Sequence, residues 1–568
     1  MNLISEFRYL DFRNYRQVRI AWVMFSIISA VIALVSGFYG FHYEAHYNLA
    51  QSIHSTLRLF IFDFDMPLNA AAPFMLELAR WSAATTVLSS LLYIILTSSY
   101  HYLRFFFLRY RYNRTVIVGL NKYSLELTME LLSKHKNVCV IDYDGHPSYI
   151  ATAVRQGAVV ISGHLYDVKN LQSACIHRAK HIVLFSLEDS TNIETLLQIT
   201  SYFNKVKMPR QPIKVKVHLK QFAFDDMLDA IQRDNQATYE LHSFNVYENA
   251  IRVLFNKYPF YENTTVEQGS RCPHLLIVGF GHSGEHVFIQ AAKLAHFPRQ
   301  EKMKISILDC NSNEYKEVAQ QKYAQLLTMF DVKFIEANAL SYPFELLEPP
   351  TYIVVSTNHD MDNISIAMRL KATFAETNVY TKMSSDAGLS PWLDANQNLY
   401  SRLHTFSLGR DVISEEVILE DKLEQFGRKI HELYCDIASD ATSWNQEALF
   451  SRMSNISQAD HYNVKLRALG LKYTTQKEHA LTKDEVLHLF IQHSEVLAIS
   501  EHNRWRAYHY LYGWKPAVMN QLKDSNLKLH PALVEWDQLS ERYKQYNREF
   551  VNKMYEVIEH AKYFIVRI

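Results

Sequence analysis

Two stretches of the chain carry residues whose spacing suits a phosphate-bearing ligand. In "LLIVGFGHSGEHVF", Leu275–Phe288, an apolar run ends at Gly279, and Gly281 and Gly284 follow at G-x-G-x-x-G spacing. In a strand–turn–helix unit the first glycine makes the tight turn and the second lets a pyrophosphate approach the backbone. The third lets helix and strand pack closely. Ser283 lies inside this turn, and an acid, Asp309, follows about 30 residues on instead of the usual ~20. A partial copy stands upstream, where Gly119, Asn121 and Ser124 occupy the turn and Asp142 the acid position. Asn121 replaces the second glycine and should hinder a standard dinucleotide pose. The ligand class these turns suit is NAD(H) or another adenine nucleotide.

A dehydrogenase also needs an acid–base residue beside the nicotinamide. No Cys–His or Ser–His–Asp constellation stands out, so the expectation is a turn that senses and does not catalyse, with no metal site. The five cysteines, Cys139, Cys175, Cys272, Cys310 and Cys435, lie far apart, without zinc-ligand or redox-pair spacing. They read as small apolar thiols in a reducing compartment. With 59 basic and 59 acidic residues the formal net charge is zero, and nothing in that balance points to nucleic acid as a partner.

The elements that must position these turns repeat. "RTVIVGLNKYSLELTMELLSKHKNVCVIDYD", from Arg114, reads as strand, tight turn, amphipathic helix and second strand. After Arg271 the pattern restarts with "PHLLIVGFGHSGEHVF", "KISILDCN", "VKFIEANAL", "TYIVVSTN" and "NVYTKM". Strands alternating with helices at this scale predict two doubly wound parallel sheets, Rossmann-like units over 114–262 and 271–410.

The stretch Gly157–Leu197 resembles the second half of the RCK (Trk-type regulator) nucleotide-binding domain. There a Gly-Asp follows the third strand, and a later strand runs into "DD..N". This chain has Gly163-His164 in the first place and Asp189 with Asn192 in the second; the second unit echoes the ending with Asp360 and Asn363. His164 stands where the acid is usual. The resemblance covers roughly Arg114 to Met383.

Two segments want a membrane. Ile20–Phe41 carries no charge, and as a helix of about 22 residues it would span about 33 Å, enough for a hydrocarbon core of about 30 Å. It is too long for a cleaved signal peptide and lacks a small-residue cleavage site. Ser82–Leu103 is also uncharged, and its Ser and Thr hydroxyls can bond helix backbone within lipid. Arginines 8, 13, 16 and 19 precede the first span and arginines 104, 109, 111 and 114 follow the second. By the positive-inside rule both termini, the N-terminal segment 1–19 included, face the cytoplasm of a plasma-membrane protein. The connecting stretch 42–81 is then external, with a possible re-entrant helix in Ser52–Leu68, and it holds no glycine. A T-V-G-Y-G-like potassium filter is therefore unsupported.

From about Ser414 long helical patterns take over, a linker region over 414–494 and a final module over 495–568. "SEHNRWRAYHYLYGWKP" and "LKLHPALVEWDQLSERYKQYNREF" resemble the RyR domain, found as a repeat in ryanodine receptors and in many bacterial proteins. The motif positions are Glu501, His502, Trp505, Gly513, Trp514, His530, Pro531, Leu533, Val534, Trp536, Leu539 and Arg548; Asn547 replaces the acid of the closing pair. The likeness implies a small-molecule ligand. Trp505, Trp514 and Trp536 could stack a base, with His502, Arg504 and Arg548 beside it. The bland alternative is that the tryptophans form core and the arginines pair with acids.

The expected architecture is a membrane-anchored α/β chain: two transmembrane helices, two Rossmann-like RCK units and a mainly α-helical RyR-like domain. Relatives built this way are ligand-gated cation channels or their kin. Two spans cannot enclose a water-filled path, so the likeness implies a homo-oligomer, a tetramer with eight Rossmann units favoured. The expected function is a bilayer-embedded sensor of a nucleotide-like ligand that gates a pore, in ion homeostasis or in nucleotide-signalled antiviral depolarisation. The alternatives are a regulatory subunit of a separate transporter and a membrane-anchored NAD-dependent enzyme.

Overall fold

The computed structural model describes residues 12–64, 73–108, 113–143, 146–206, 212–221, 224–235, 238–262, 264–265, 272–297, 301–384, 389–396, 398, 400–409, 411–437, 443–518 and 521–568. The chain divides into two compact units, residues 1–112 with 151–160, and 113–150 with 161–568.

The first unit is a helical hairpin of Phe12–Tyr39 and Phe74–Leu108, both containing stretches long and apolar enough to cross a membrane. The second helix starts eight residues before the expected Ser82, because Leu76 and Ala79 continue its apolar face into the hairpin core beside Phe41. Small and hydroxylated residues make the seam. Ser26 Oγ meets Ser89 Oγ at 3.0 Å, Ser29 Oγ donates to the Ser82 carbonyl at 3.0 Å and Trp22 Nε1 to the Ser89 carbonyl at 3.1 Å. A methyl group on Gly37 would fall 2.8 Å from Thr56 Cγ2, so this position must stay small. Apolar side chains point outward instead: Val35 is 65% exposed and Leu88 58%.

The connecting stretch folds as a helix, Leu49–Arg58, started by a capping box between Asn48 and Gln51. Its orientation is inverted relative to a helix facing water. Ser52, Ser55 and Thr56 are buried, whereas Leu49, Ile53 and Leu57, at i,i+4 spacing, are exposed.

Beyond the hairpin the chain forms two parallel sheets. The strands are β1 (Arg114–Val118), β2 (Val138–Asp142), β3 (Val159–Ser162), β4 (Ala179–Leu184), β5 (Ile213–His218) and β6 (Tyr239–Phe244), in the order β3-β2-β1-β4-β5-β6. The other six are β7 (His274–Val278), β8 (Lys304–Asp309), β9 (Asp331–Glu336), β10 (Tyr352–Val355), β11 (Asn378–Met383) and β12 (Leu403–Ser407), in the order β12-β11-β10-β7-β8-β9. Both are the doubly wound order of a Rossmann fold. β1, β2, β7 and β10 are buried along their whole length, which is why they read as unbroken β-branched and aliphatic runs.

The C-terminal helices form a third layer that clasps the sheets. Lys216 Nζ, fully buried on β5, pairs with Asp421 at 2.5 Å, and Arg252 pairs with Asp460 at 2.7 and 2.9 Å. Helix Ser494–Leu511 places Ala507, Tyr508 and Leu511 in one core with Phe288, Ala292 and Leu294 of the second Rossmann unit.

Candidate nucleotide site

The two glycine turns fold alike and differ in one respect that decides their chemistry. Both first glycines take left-handed backbone angles, φ +95° at Gly119 and +88° at Gly279. A Cβ there would stand 2.9 Å from Ser186 N or 2.8 Å from Thr357 N, so each strand turns hard against the loop that follows β4 or β10. The acids serve the turns. Asp142 accepts from Leu120 N–H at 3.0 Å; Asp309 accepts from Phe280 N–H at 2.8 Å and Asn311 N–H at 2.9 Å.

In the first Rossmann unit the helix Lys122–Ser133 is capped by its own chain. Asn121 Oδ1 accepts from the N–H groups of Tyr123 and Ser124, at 2.9 and 3.1 Å, and Ser124 Oγ accepts from Asn121 N–H at 2.8 Å. Asn121 Nδ2 reaches on to the Phe185 carbonyl at the end of β4. The donors that would meet a phosphate are thus already satisfied.

In the second unit the helix His282–Leu294 starts at Gly281 with no side-chain cap. Gly281 has an ordinary extended backbone, φ −68° and ψ −165°, and a Cβ there would meet only Asn358 Oδ1, at 3.9 Å. Gly284, by contrast, is needed for packing, since its Cβ would lie 2.0 Å from the Gly279 carbonyl oxygen. Nothing among the described residues requires a glycine at 281. Ser283, 3% exposed, leaves its hydroxyl oxygen buried with no hydrogen-bond partner among the described residues. An uncapped helix start, open space above a glycine and an orphaned hydroxyl at the β7/β10 switch point are features that suit an anion.

The motif residues of the RCK resemblance act as braces. Asp189 accepts from Lys220 and Gln221 N–H, and Asp360 from Ser384 N–H. Asn192 Nδ2 donates to the His218 carbonyl at 2.8 Å and Asn363 Nδ2 to that of Lys382 at 3.0 Å. His164 stacks on Tyr143 with centroids 3.8 Å apart.

Residues 115–222 match the family model described as the TrkA-N domain. The first Rossmann unit carries a TrkA-N domain. Residues 485–567 match the model of the RyR domain. No curated protein matches the chain. Among solved structures it is similar to GsuK bound to ADP, at 15% identity over 73% of this chain and 100% of that one, with a TM-score of 0.38. It is similar to the GsuK channel bound to NAD at 13% identity, over 81% and 87%, with a TM-score of 0.38. The malic enzyme of Entamoeba histolytica is similar at 10% identity, over 82% and 96%, with a TM-score of 0.28.

The RyR domain uses most of its motif residues internally. Glu501, 2% exposed, takes Lys465 Nζ at 2.6 Å and Arg504 at 2.8 and 3.0 Å. His502 Nε2 donates to the Val534 carbonyl at 2.8 Å, and burial pushes its imidazole down to about 4. Trp514 and Trp536 are buried, and Trp536 Nε1 donates to Glu495. Trp505 and Arg548 are half-buried; Trp505 lies against His509 and His530, and Arg548 bridges Glu495 and Glu541.

A separate group, His242, Asp421 and Glu424, brings donor atoms within 4.8 Å of one another. It does not suit a metal ion. Lys216 and Arg428 already pair with Asp421, and their positive charges, with Arg452 close by, would repel a further cation.

Proposed function

We propose that this chain is an oligomeric membrane sensor that binds a diphosphate-bearing nucleotide at the Gly281–Gly284 cradle and gates an ion-conducting path. The observation that carries the reading is the cradle: Gly281 serves no packing need, and the buried Ser283 hydroxyl beside it lacks a partner. A pyrophosphate supplies what both ask for, since the uncapped helix start presents N–H donors and a favourable dipole. The TrkA-N domain caps its own helix with Asn121, so the nucleotide belongs to the second unit. Membrane insertion rests on the hairpin, whose apolar side chains face out while its hydroxyls face in.

A ligand biases such a switch only by its difference in affinity between states; a hundredfold preference is worth about 2.7 kcal/mol at each site. Identical sites around an oligomer multiply that bias. The stretch 42–81 holds no glycine for a filter turn, which favours a second reading, a regulatory subunit seated beside a separate transporter.

The test is purified protein in liposomes, with ion flux and ligand binding followed together for ADP and NAD. Flux that responds to either ligand, and stops responding in Gly281→Val, supports the sensor-pore. Binding without any flux selects the regulatory subunit. Binding that survives Gly281→Val unchanged refutes the cradle.

A further inference from the structure

The cradle of the second unit faces the TrkA-N domain through a chain of hydrogen bonds that no local motif announces. Lys220 and Gln221 follow β5, and their N–H groups donate to the Asp189 carboxylate at 3.0 to 3.2 Å, which fixes the backbone there. The Lys220 carbonyl accepts from Asn245 Nδ2 at 3.2 Å. The same amide lies 2.9 Å from His286 Nε2, and His286 Nδ1 lies 2.7 Å from the His282 carbonyl. A carbonyl can only accept, so Nδ1 carries the proton and Nε2 accepts from Asn245. Burial keeps this ring neutral by pushing His286 below its ordinary value. The chain thus runs from Asp189 through Lys220, Asn245 and His286 to His282, the first helical residue after Gly281.

Two cations, Lys220 and Lys322, and two acids, Asp189 and Glu285, act on His282 at this junction. Lys220 is half-buried, and its ammonium has no hydrogen bond or ion pair among the described residues. It lies close enough to His282 that, after burial, it is the main cause holding that imidazole below its ordinary value. The acids nearby are engaged: Glu285 with Lys322 and Tyr323, Asp189 with the backbone N–H groups of 220 and 221. The Lys220 ammonium thus lies near the uncapped, positive start of helix His282–Leu294. An anion between them would satisfy both.

We propose that Lys220 is the charge partner of the pyrophosphate held at Gly281–Gly284, so that the nucleotide site is completed across the two Rossmann units. This inference rests on the cradle reading and adds that the TrkA-N domain is recruited to the ligand of its neighbour. Binding then tightens the junction between the units, with Asn245 and His286 as its hinge pin.

The experiment measures ADP and NAD binding to the full-length protein in detergent, by calorimetry at low and high salt. Lys220→Gln should weaken both ligands about ten- to a hundredfold, the range of a charge-assisted hydrogen bond, and flatten the salt dependence. Lys220→Arg should keep most of the affinity. Wild-type affinity in Lys220→Gln, with binding abolished in Gly281→Val, overturns the cross-unit contact and leaves the cradle standing. Binding indifferent to Gly281→Val removes the cradle, and this inference falls with it.

Discussion

Asp225 offers the sharpest test of how the first Rossmann unit packs against the C-terminal region. It opens helix Asp225–Asn235, is 8% exposed, and lines a cavity with Glu248, Arg252, Asp421, Glu424 and Tyr512. No hydrogen bond reaches its carboxylate among the described residues. Burial, and then the carboxylates of Glu248, Asp229 and Asp226, push it up to about 8, against the pull of Lys293. The folded protein therefore binds this proton more tightly than the unfolded chain, whose carboxyl titrates near 3.8. The stability this contributes is complete below that lower value and is lost as pH climbs towards 8. Within the window each pH unit is worth about 1.4 kcal/mol, so going from pH 6 to about 8 should cost on the order of 2 to 3 kcal/mol. Asp225→Asn keeps the shape and abolishes the titration. Thermal unfolding of the full-length protein, followed by tryptophan fluorescence from pH 6 to 8.5, should show wild type losing a few degrees more than the variant. The other titrating groups are common to both proteins and cancel in the comparison. Parallel curves for the two would refute the buried, protonated Asp225.

Two further substitutions separate structural roles from ligand binding. Asn121→Ala removes the cap of the first glycine turn and should destabilise the protein by about 1 kcal/mol in thermal melts. Its ADP affinity should stay at the wild-type level; a loss of binding would move the nucleotide to the TrkA-N domain. Glu501→Gln leaves Lys465 and Arg504 buried without their anion, with all three side chains 3% exposed or less. Breaking such a group costs about 3 to 5 kcal/mol, and the second Rossmann unit shares the loss, because the RyR helix lies in its core. Denaturant unfolding should show the two regions failing together, and separate transitions would disprove the shared core.

Much of this architecture was legible along the chain. Unbroken apolar runs such as "LLIV" announce strands buried on both faces, and Gly279 and Gly119 mark turns that only a left-handed residue allows. The two apolar helices declare themselves by length and lack of charge, since both are properties of a contiguous segment. The uncharged window begins at Ser82, whereas the helix begins at Phe74, because Glu77 and Arg80 interrupt the apolar run without breaking the helical backbone. The RyR motif was legible as a motif, but the letters do not say that Arg504 is enclosed with Glu501.

What the sequence by itself determined is everything that depends on neighbours in the chain: the strands, the turns, the apolar spans and the spacing of the glycines. The glycine spacing already marked Gly281 as the open turn, and only the tertiary structure decided that the Ser283 hydroxyl is buried there with no partner among the described residues. It also decided the junctions, where Asn245 meets His286 across 41 residues and Lys216 meets Asp421 across 205. The physical reason is common to both. Burial, and the charge that one side chain feels from another, are set by distance in space, and the folded chain makes neighbours of residues that the sequence holds apart.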